Sequence, residues 1–409
     1  MDKTYITALN INKVRHLKQI QIPIAQDERR HLILTGKNGS GKTSILEAFS
    51  KHLDYIVSPD FFTKSEIESS ISSFEEEIKK LSDKESQFSR KKSFEQALTS
   101  KKISLKMWTE GVVADYTSLS KLRDKYDNGE FILAYYSDNR NFRVNVSKNI
   151  EKIELLPVYT LDSHPGRDFA KYLVTLKTKQ AFAQTENKLE RANEIKAWFD
   201  RFQDILRDLY EESDLTLEFD TDKFEFNILL KNREPFSFNT MSMGYSAVFD
   251  IICDLIMRME SKQNYNLEGI VLIDEIETHL HVELQRKIMP VLIKLFPNIQ
   301  FILTTHSPFI LNSVQNAVVY DLENQTLAEE GLSNYTYNGI VEGYFKSDLL
   351  SKELRKKYDR YRELATQKTL SDDDYAELSE LEIYLDEIPD YLALSFMPEY
   401  KRLKLEVNS

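Results

Sequence analysis

The chain has 409 residues, 41% hydrophobic and 29% charged, with a formal net charge of −12. This is the make-up of a soluble globular protein with room for one large domain or two modest ones, and its acidity argues against a surface wrapped broadly in nucleic acid. It has no run of about 18 apolar residues, no signal-peptide core in Met1-Asp2-Lys3-Thr4-Tyr5, and one cysteine, Cys253, so a transmembrane helix, an intrachain disulfide and a cysteine-based zinc site are excluded and a cytoplasmic location is expected.

Residues 4–35 alternate apolar and polar positions (Ile6, Leu9, Ile11, then Ile20, Ile22, Ile24), which predicts antiparallel strands. They lead into a short β-prone run, His31-Leu32-Ile33-Leu34-Thr35. Next comes Gly36-Lys37-Asn38-Gly39-Ser40-Gly41-Lys42-Thr43, and then helical spacing from Ser44 through Phe49. Strand, glycine loop and helix in that order separate a phosphate-binding G-x-x-x-x-G-K-T from a chance glycine-rich turn. Gly36, Gly39 and Gly41 let successive N–H groups point at phosphate oxygens, and the helix N-terminus adds its positive end. Lys42 is expected to reach the β- and γ-phosphates, and the Thr43 hydroxyl to ligate Mg²⁺. Lys37, Asn38, Ser40 and Ser44 complete the candidate nucleotide-binding loop.

After Ser58-Pro59, a polar, glycine-free stretch from about Lys64 to Lys106 keeps three-and-four spacing at Ile67, Ile71, Phe74, Ile78 and Leu81. That predicts one or two inserted helices. The basic pairs and triplet on it (Lys79-Lys80, Arg90-Lys91-Lys92, Lys101-Lys102) read as a solvated helix face. Residues 131–136 form a buried-type strand ending at Ser137-Asp138-Asn139-Arg140. Residues 167–212 are helical again, with Trp198, Phe199, Phe202, Leu206 and Leu209 on a stripe suited to a helix contact rather than a cofactor. Residues 215–219 and 224–230 read as a strand pair, and from about Asp348 onward the chain is charged and helical, with an N-cap signal at Ser371-Asp372.

Gly269-Ile270-Val271-Leu272-Ile273-Asp274-Glu275 is an apolar strand that ends in two carboxylates. Beside the glycine-loop strand it would bring Asp274 to Mg²⁺ and leave Glu275 to polarise an attacking water. One helix later, Phe301-Ile302-Leu303-Thr304-Thr305-His306-Ser307-Pro308 fits the next strand of a parallel sheet, with His306 placed to contact the γ-phosphate.

With Asn239-Thr240-Met241-Ser242-Met243-Gly244-Tyr245-Ser246 just upstream of the Asp-Glu strand, the chain resembles the ABC ATPases. It is closest to their soluble SMC/RecF/OLD-like branch, AAA-family ATPases of the kind found in bacterial anti-phage defence systems. The segment resembles the LSGGQ signature, with Ser242 and Gly244 matching and Met243 and Tyr245 departing from it. Residues 275–281 resemble the D-loop stretch, Thr305-His306-Ser307-Pro308 the switch-histidine motif, and residues 12–17 the opening strand in which Arg15 contacts nucleotide. Residues 137–140 stand at the Q-loop position without a glutamine. The resemblance covers residues 1–50 and 235–325.

It implies an α/β ABC-ATPase head: a P-loop sheet with flanking helices, an antiparallel β subdomain and helical insertions. The expected divisions are 1–57 (lobe with the glycine loop), 58–130 (helical insertion), 131–345 (remainder of the head, with a helical insert at 167–212) and 346–409 (C-terminal helices). The resemblance further implies ATP and Mg²⁺ sandwiched between two copies, in a homodimer or higher oligomer. Lys42, Thr43, Asp274, Glu275 and His306 would come from one subunit and Ser242 and Gly244 from the other. Such a chain would be the sensor or regulatory subunit of a defence complex with a separately encoded effector, a nuclease or toxin. The alternative is a RecF- or SMC-like DNA-repair ATPase that binds DNA directly. Neither a membrane partner nor a built-in nuclease is expected: Ile340-Val341-Glu342-Gly343 lacks the preceding strand of a Toprim site.

Overall fold

The computed structural model describes residues 3–25, 27–81, 85–140, 144–145, 153–344, 352–367, 369–388 and 396–407. The chain divides into two compact units, Met1–Asn334 and Tyr335–Ser409.

In the first unit, β1 (Ile6–Val14) and β2 (Leu17–Pro23) form an antiparallel hairpin in the register Leu9↔Ile22 and Ile11↔Ile20. The alternate isoleucines and leucines face inward, as the period of two requires. β3 (His31–Thr35) is buried at every position and hands the chain through the glycine loop to α1 (Lys42–Val57).

α2 (Lys64–Lys80) begins at a capping box made by Thr63 and Glu66. It pairs with α3 (Glu85–Thr109), Phe74 lying 5.9 Å from Phe94 and Glu75 2.9 Å from Lys102. The segment 58–130 is helical only in part. Beyond Thr109 the chain forms β4 (Gly111–Tyr116), antiparallel to β1 (Leu9↔Ala114, Ile11↔Val112), and then α4 (Leu119–Asp127). Val112, Val113 and Ala114 are consecutive and all buried, so no alternation advertises β4; pairing with β1 makes it a strand.

β5 (Phe131–Tyr136) follows. α5 (Phe169–Thr185) and α6 (Leu189–Tyr210) pack through the aromatic stripe, with Phe169 of α5 5.1 Å from Phe202 of α6. β6 (Thr216–Asp220), β7 (Glu225–Leu229) and β8 (Phe236–Ser237) make a small antiparallel sheet. Then come α7 (Met243–Glu260), β9 (Glu268–Ile273), α8 (Val282–Leu295), β10 (Ile299–Thr304), α9 (Pro308–Ser313), β11 (Ala317–Asp321) and β12 (Thr326–Ala328).

The main sheet runs β12-β11-β3-β10-β9-β5, parallel throughout except for β12 on its edge. This is the α/β sheet expected of a P-loop ATPase head. Its register aligns Thr304 with Leu34 and Leu303 with Ile273. The glycine loop, Asp274 and His306 therefore leave the same edge side by side, at the carboxyl ends where open α/β sheets bind ligands.

Two buried polar links hold the layers together. Gln300 on β10 accepts from the Ile6 amide (2.8 Å) and donates to the Ile6 carbonyl (3.0 Å), tying the antiparallel sheet to the main one. Asp254 on α7 accepts from Tyr136 Oη (2.8 Å) and Arg258 Nε (2.7 Å), and Arg258 also donates to the Leu133 carbonyl (3.0 Å), so α7 is keyed to β5.

The second unit holds one-turn α10 (Tyr337–Gly339), a π-helical turn at Ile340–Tyr344, α11 (Lys352–Ala365), α12 (Asp372–Asp386) and α13 (Met397–Val407). Its core is Tyr358, Tyr361, Leu364, Leu378, Leu385, Tyr400 and Leu403. Ser371 caps α12 as its sequence signalled. The expected helical start near residue 348 lies outside the described residues.

Candidate nucleotide site

Gly36, Gly39 and Gly41 all take positive φ (135°, 85° and 102°), so the loop curls back on itself before α1 starts at Lys42. Lys42 Nζ donates to the carbonyls of Gly36 (2.9 Å) and Lys37 (3.2 Å), which lays the ammonium across the loop. Burial lowers its pKa, against the opposing pull of Glu275, Glu277, Asp274 and Asp321. Ser40 Oγ is buried without a hydrogen-bond partner, Ser44 is buried and Thr43 half-buried, whereas Lys37, Asn38 and Gly39 are exposed on the crest. Lys37 there pairs with Glu323 at 2.7 Å.

Asp274 is fully buried. Its Oδ1 accepts from Thr304 Oγ1 at 2.5 Å, and its Oδ2 has no hydrogen-bond partner. A carboxylate oxygen left bare in the interior is costly unless a cation or its water shell meets it, so the residue fits Mg²⁺. Among the described residues no cluster of three or more His, Cys, Asp or Glu could hold a metal alone.

Glu275 stands next, half-exposed, with its backbone in the left-handed region (φ 42°) and its amide donating to Thr304 Oγ1 at 2.7 Å. His306 Nε2 lies 3.7 Å from Glu275 Oε1 and has no hydrogen-bond partner. Burial first, then the Lys42 charge, lower the pKa of His306 despite Glu277, Glu275 and Asp274, which favours the neutral imidazole. Lys42, Asp274, Glu275 and His306, read from three separate segments, thus share one site.

Arg15 occupies the two-residue turn of the β1–β2 hairpin with φ 52°. That turn abuts the glycine loop: a Cβ on Gly41 would meet Leu17 Cδ1 at 3.0 Å and His16 Cε1 at 3.9 Å. Ser242 and Gly244 lie at the start of α7. Ser242 is exposed at the N-cap of α7 and makes no side-chain capping bond. Gly244 is buried against its own chain, where a Cβ would sit 3.0 Å from the His279 carbonyl and 3.3 Å from Leu284 Cδ1. Tyr245, which departs from the signature pattern, stacks on Tyr210 of α6 at 4.0 Å.

Several residues that shape the site did not announce themselves in the sequence. Thr304 bridges Asp274 and the Glu275 amide. Glu277 accepts from Thr305 Oγ1 (2.8 Å) and from the His306 amide. Gln285 on α8 accepts from Ser307 Oγ (2.6 Å) and donates to the Leu280 carbonyl (2.8 Å). At the Q-loop position Arg140 is buried and donates to the carbonyls of Asp274 (2.8 Å) and Glu275 (2.5 Å). The only local hint was the absence of the expected glutamine.

The chain is 26% identical over 370 residues to the "Retron Vc95 probable ATPase" of Vibrio cholerae, covering 75% of this chain and 71% of that protein. It is 35% identical over 132 residues to the "Septu protein PtuA" of Bacillus mycoides, covering 30% of this chain but only 18% of that protein. Among solved structures, the SMC head domain from Thermotoga maritima aligns with 77% of this chain and 94% of its own, at 12% identity and a TM-score of 0.35. The chain belongs to the family described as "AAA domain, putative AbiEii toxin, Type IV TA system", whose model matches residues 32–312.

Proposed function

We propose that this protein hydrolyses ATP with Mg²⁺ in a site closed by a second copy of itself, and that it acts as the sensing or regulatory subunit of an anti-phage defence system beside a separate effector. The observation that carries the ATPase reading is the convergence of Lys42, Asp274 with its bare Oδ2, Glu275 and His306 on one edge of the sheet. Mg²⁺, held by Thr43 and Asp274, would neutralise charge on the phosphates. Amides of residues 36–44 cradle those phosphates, Lys42 exchanges its loop carbonyls for phosphate oxygens, and Arg15 reaches in from the hairpin turn. Glu275 accepts the proton of the attacking water. His306, neutral, orients that water or the γ-phosphate without repelling Lys42.

Each chain carries one copy of every motif, and Ser242 lies free at a helix N-terminus outside its own chain's phosphate loop. Both features support a composite site completed by the partner copy. The defence role rests on the likeness to retron and Septu proteins. A direct DNA-binding role is less well supported. Two of the basic residues on α3 are engaged within the hairpin, Lys102 with Glu75 and Lys101 over the Phe62 ring.

The test is steady-state ATPase activity with sizing in the presence of ATP. Glu275→Gln is expected to lower kcat about 100-fold or more while retaining ATP and accumulating the dimer. Lys42→Ala is expected to lose ATP binding. Wild-type turnover by Glu275→Gln removes Glu275 from its role. Copurification with the products of neighbouring genes, with and without ATP, checks the effector: a nuclease or toxin supports defence, and replication proteins support repair.

A further inference from the structure

Arg140 makes an unusual use of a buried charge. Among the described residues its guanidinium is ion-paired with no carboxylate, and it donates instead to two consecutive backbone carbonyls, Asp274 O through Nη1 and Glu275 O through Nη2. Burial opposes the charge, and Glu277, Asp250, Asp274 and Asp138 favour it electrostatically. The two carbonyls belong to the peptide planes on either side of Glu275. A rigid planar fork that holds both planes fixes their relative rotation, which is φ and ψ of Glu275.

That is where restraint is needed. Glu275 sits at φ 42°, in the left-handed region that is sterically costly for an L-residue. Its amide donates to Thr304 Oγ1, and its side chain is half-exposed with Oε1 3.7 Å from His306 Nε2.

We infer that Arg140 is a positioning residue for ATP hydrolysis: by clamping the carbonyls of Asp274 and Glu275 it holds the Glu275 carboxylate on the His306 side of the site. The inference rests on the ATPase reading above. Its location explains why an arginine stands where a Q-loop glutamine is expected: it serves the turn that bears the carboxylate instead of the ion. Lysine at this position carries the same charge but presents a point donor, so it satisfies one carbonyl well and leaves the two planes free to rotate against each other.

The test compares wild type, Arg140→Lys, Arg140→Met and Glu275→Gln as full chains, measuring kcat, KM, binding of a fluorescent ATP analogue and melting temperature. Arg140→Lys is expected to stay folded and bind nucleotide within about threefold, with kcat down about 10- to 100-fold at nearly unchanged KM, because a misplacement of about 1 Å suffices for such losses. Arg140→Met is expected to fall further. On the Glu275→Gln background, Arg140→Lys is expected to change nothing, since the group it positions is already gone.

Wild-type kcat in both Arg140 variants overturns the inference, as does a further drop on the Glu275→Gln background. So does a loss confined to nucleotide affinity. If the wild-type chain itself fails to turn over ATP, the ATPase reading falls as well. If wild type is active, Glu275→Gln is dead and the Arg140 variants are unimpaired, only the role of Arg140 falls.

Discussion

Gly39 and Gly41 both adopt left-handed φ, yet they differ in what surrounds them. A Cβ on Gly39 would meet nothing within 4 Å, whereas one on Gly41 would press on Leu17 Cδ1 at 3.0 Å. Alanine at Gly39 therefore carries only the left-handed penalty of about 1–2 kcal/mol. Alanine at Gly41 adds a contact cost of about 1 kcal/mol or more and pushes the hairpin turn bearing Arg15 away from the loop. Thermal melts and ATP binding of the two variants should separate accordingly, Gly41→Ala losing more of both; equal losses would remove the role assigned to the hairpin contact. At this scale the site was largely legible. Each glycine, Lys42, Asp274 and His306 is demanded by local chemistry, and local chemistry leaves its mark in residue type and spacing. Arg140 and Thr304 were not legible, because what they do depends on carbonyls and amides more than 25 residues away in the chain.

At the scale of elements, the joint between α1 and the end of α3 carries a titratable group. His52 lies between Phe49 (6.4 Å) and Trp108 (5.3 Å), and burial, partly opposed by the Met107 carbonyl, lowers its pKa to about 4. His31 on β3, which accepts from the Phe301 amide at 3.1 Å, is lowered to about 3 by burial and by Arg29. Both are folded as neutral rings and start from an ordinary value of 6.5. Their contribution is full above pH 6.5. It falls as the pH drops from there toward 4, because only the unfolded chain takes up the protons. Each costs about 1.4 kcal/mol per pH unit within that window. His52→Phe should flatten the decline in melting temperature between pH 7 and pH 5 relative to wild type; an unchanged slope would mean that His52 is not protonated on unfolding there. Helical character was readable where periodicity was strong, as over residues 64–106 and 167–212, but the breaks that divide those stretches into α2 and α3 and into α5 and α6 were not. β4 was not, because its strand character comes from the β1 edge it completes.

At the scale of the whole molecule, the unit Met1–Asn334 contains every residue of the candidate site, and Tyr335–Ser409 has a core of its own. A fragment of residues 1–334 is expected to fold cooperatively and bind ATP within about threefold of the full chain, since it has a core of its own and carries the candidate site residues. Circular dichroism melts and nucleotide titration check this; a fragment that fails to fold would show that the first unit is not self-sufficient. Among the described residues no helix is long and apolar enough to cross a membrane.

The sequence by itself determined the strand, glycine loop and helix of residues 31–49, the strand that ends at Asp274-Glu275, the strand before His306 and their order along the chain. Each is a short-range backbone requirement that only certain residues meet. The tertiary structure alone decided that Thr304 stands beside Asp274, that Arg140 donates to the carbonyls of Asp274 and Glu275 and that Gly244 faces His279 and Leu280. It also decided that β4 closes the hairpin sheet. These outcomes depend on sheet register and on which layers face each other. Both are set by burial summed over many residues, and no single spacing in the chain records them.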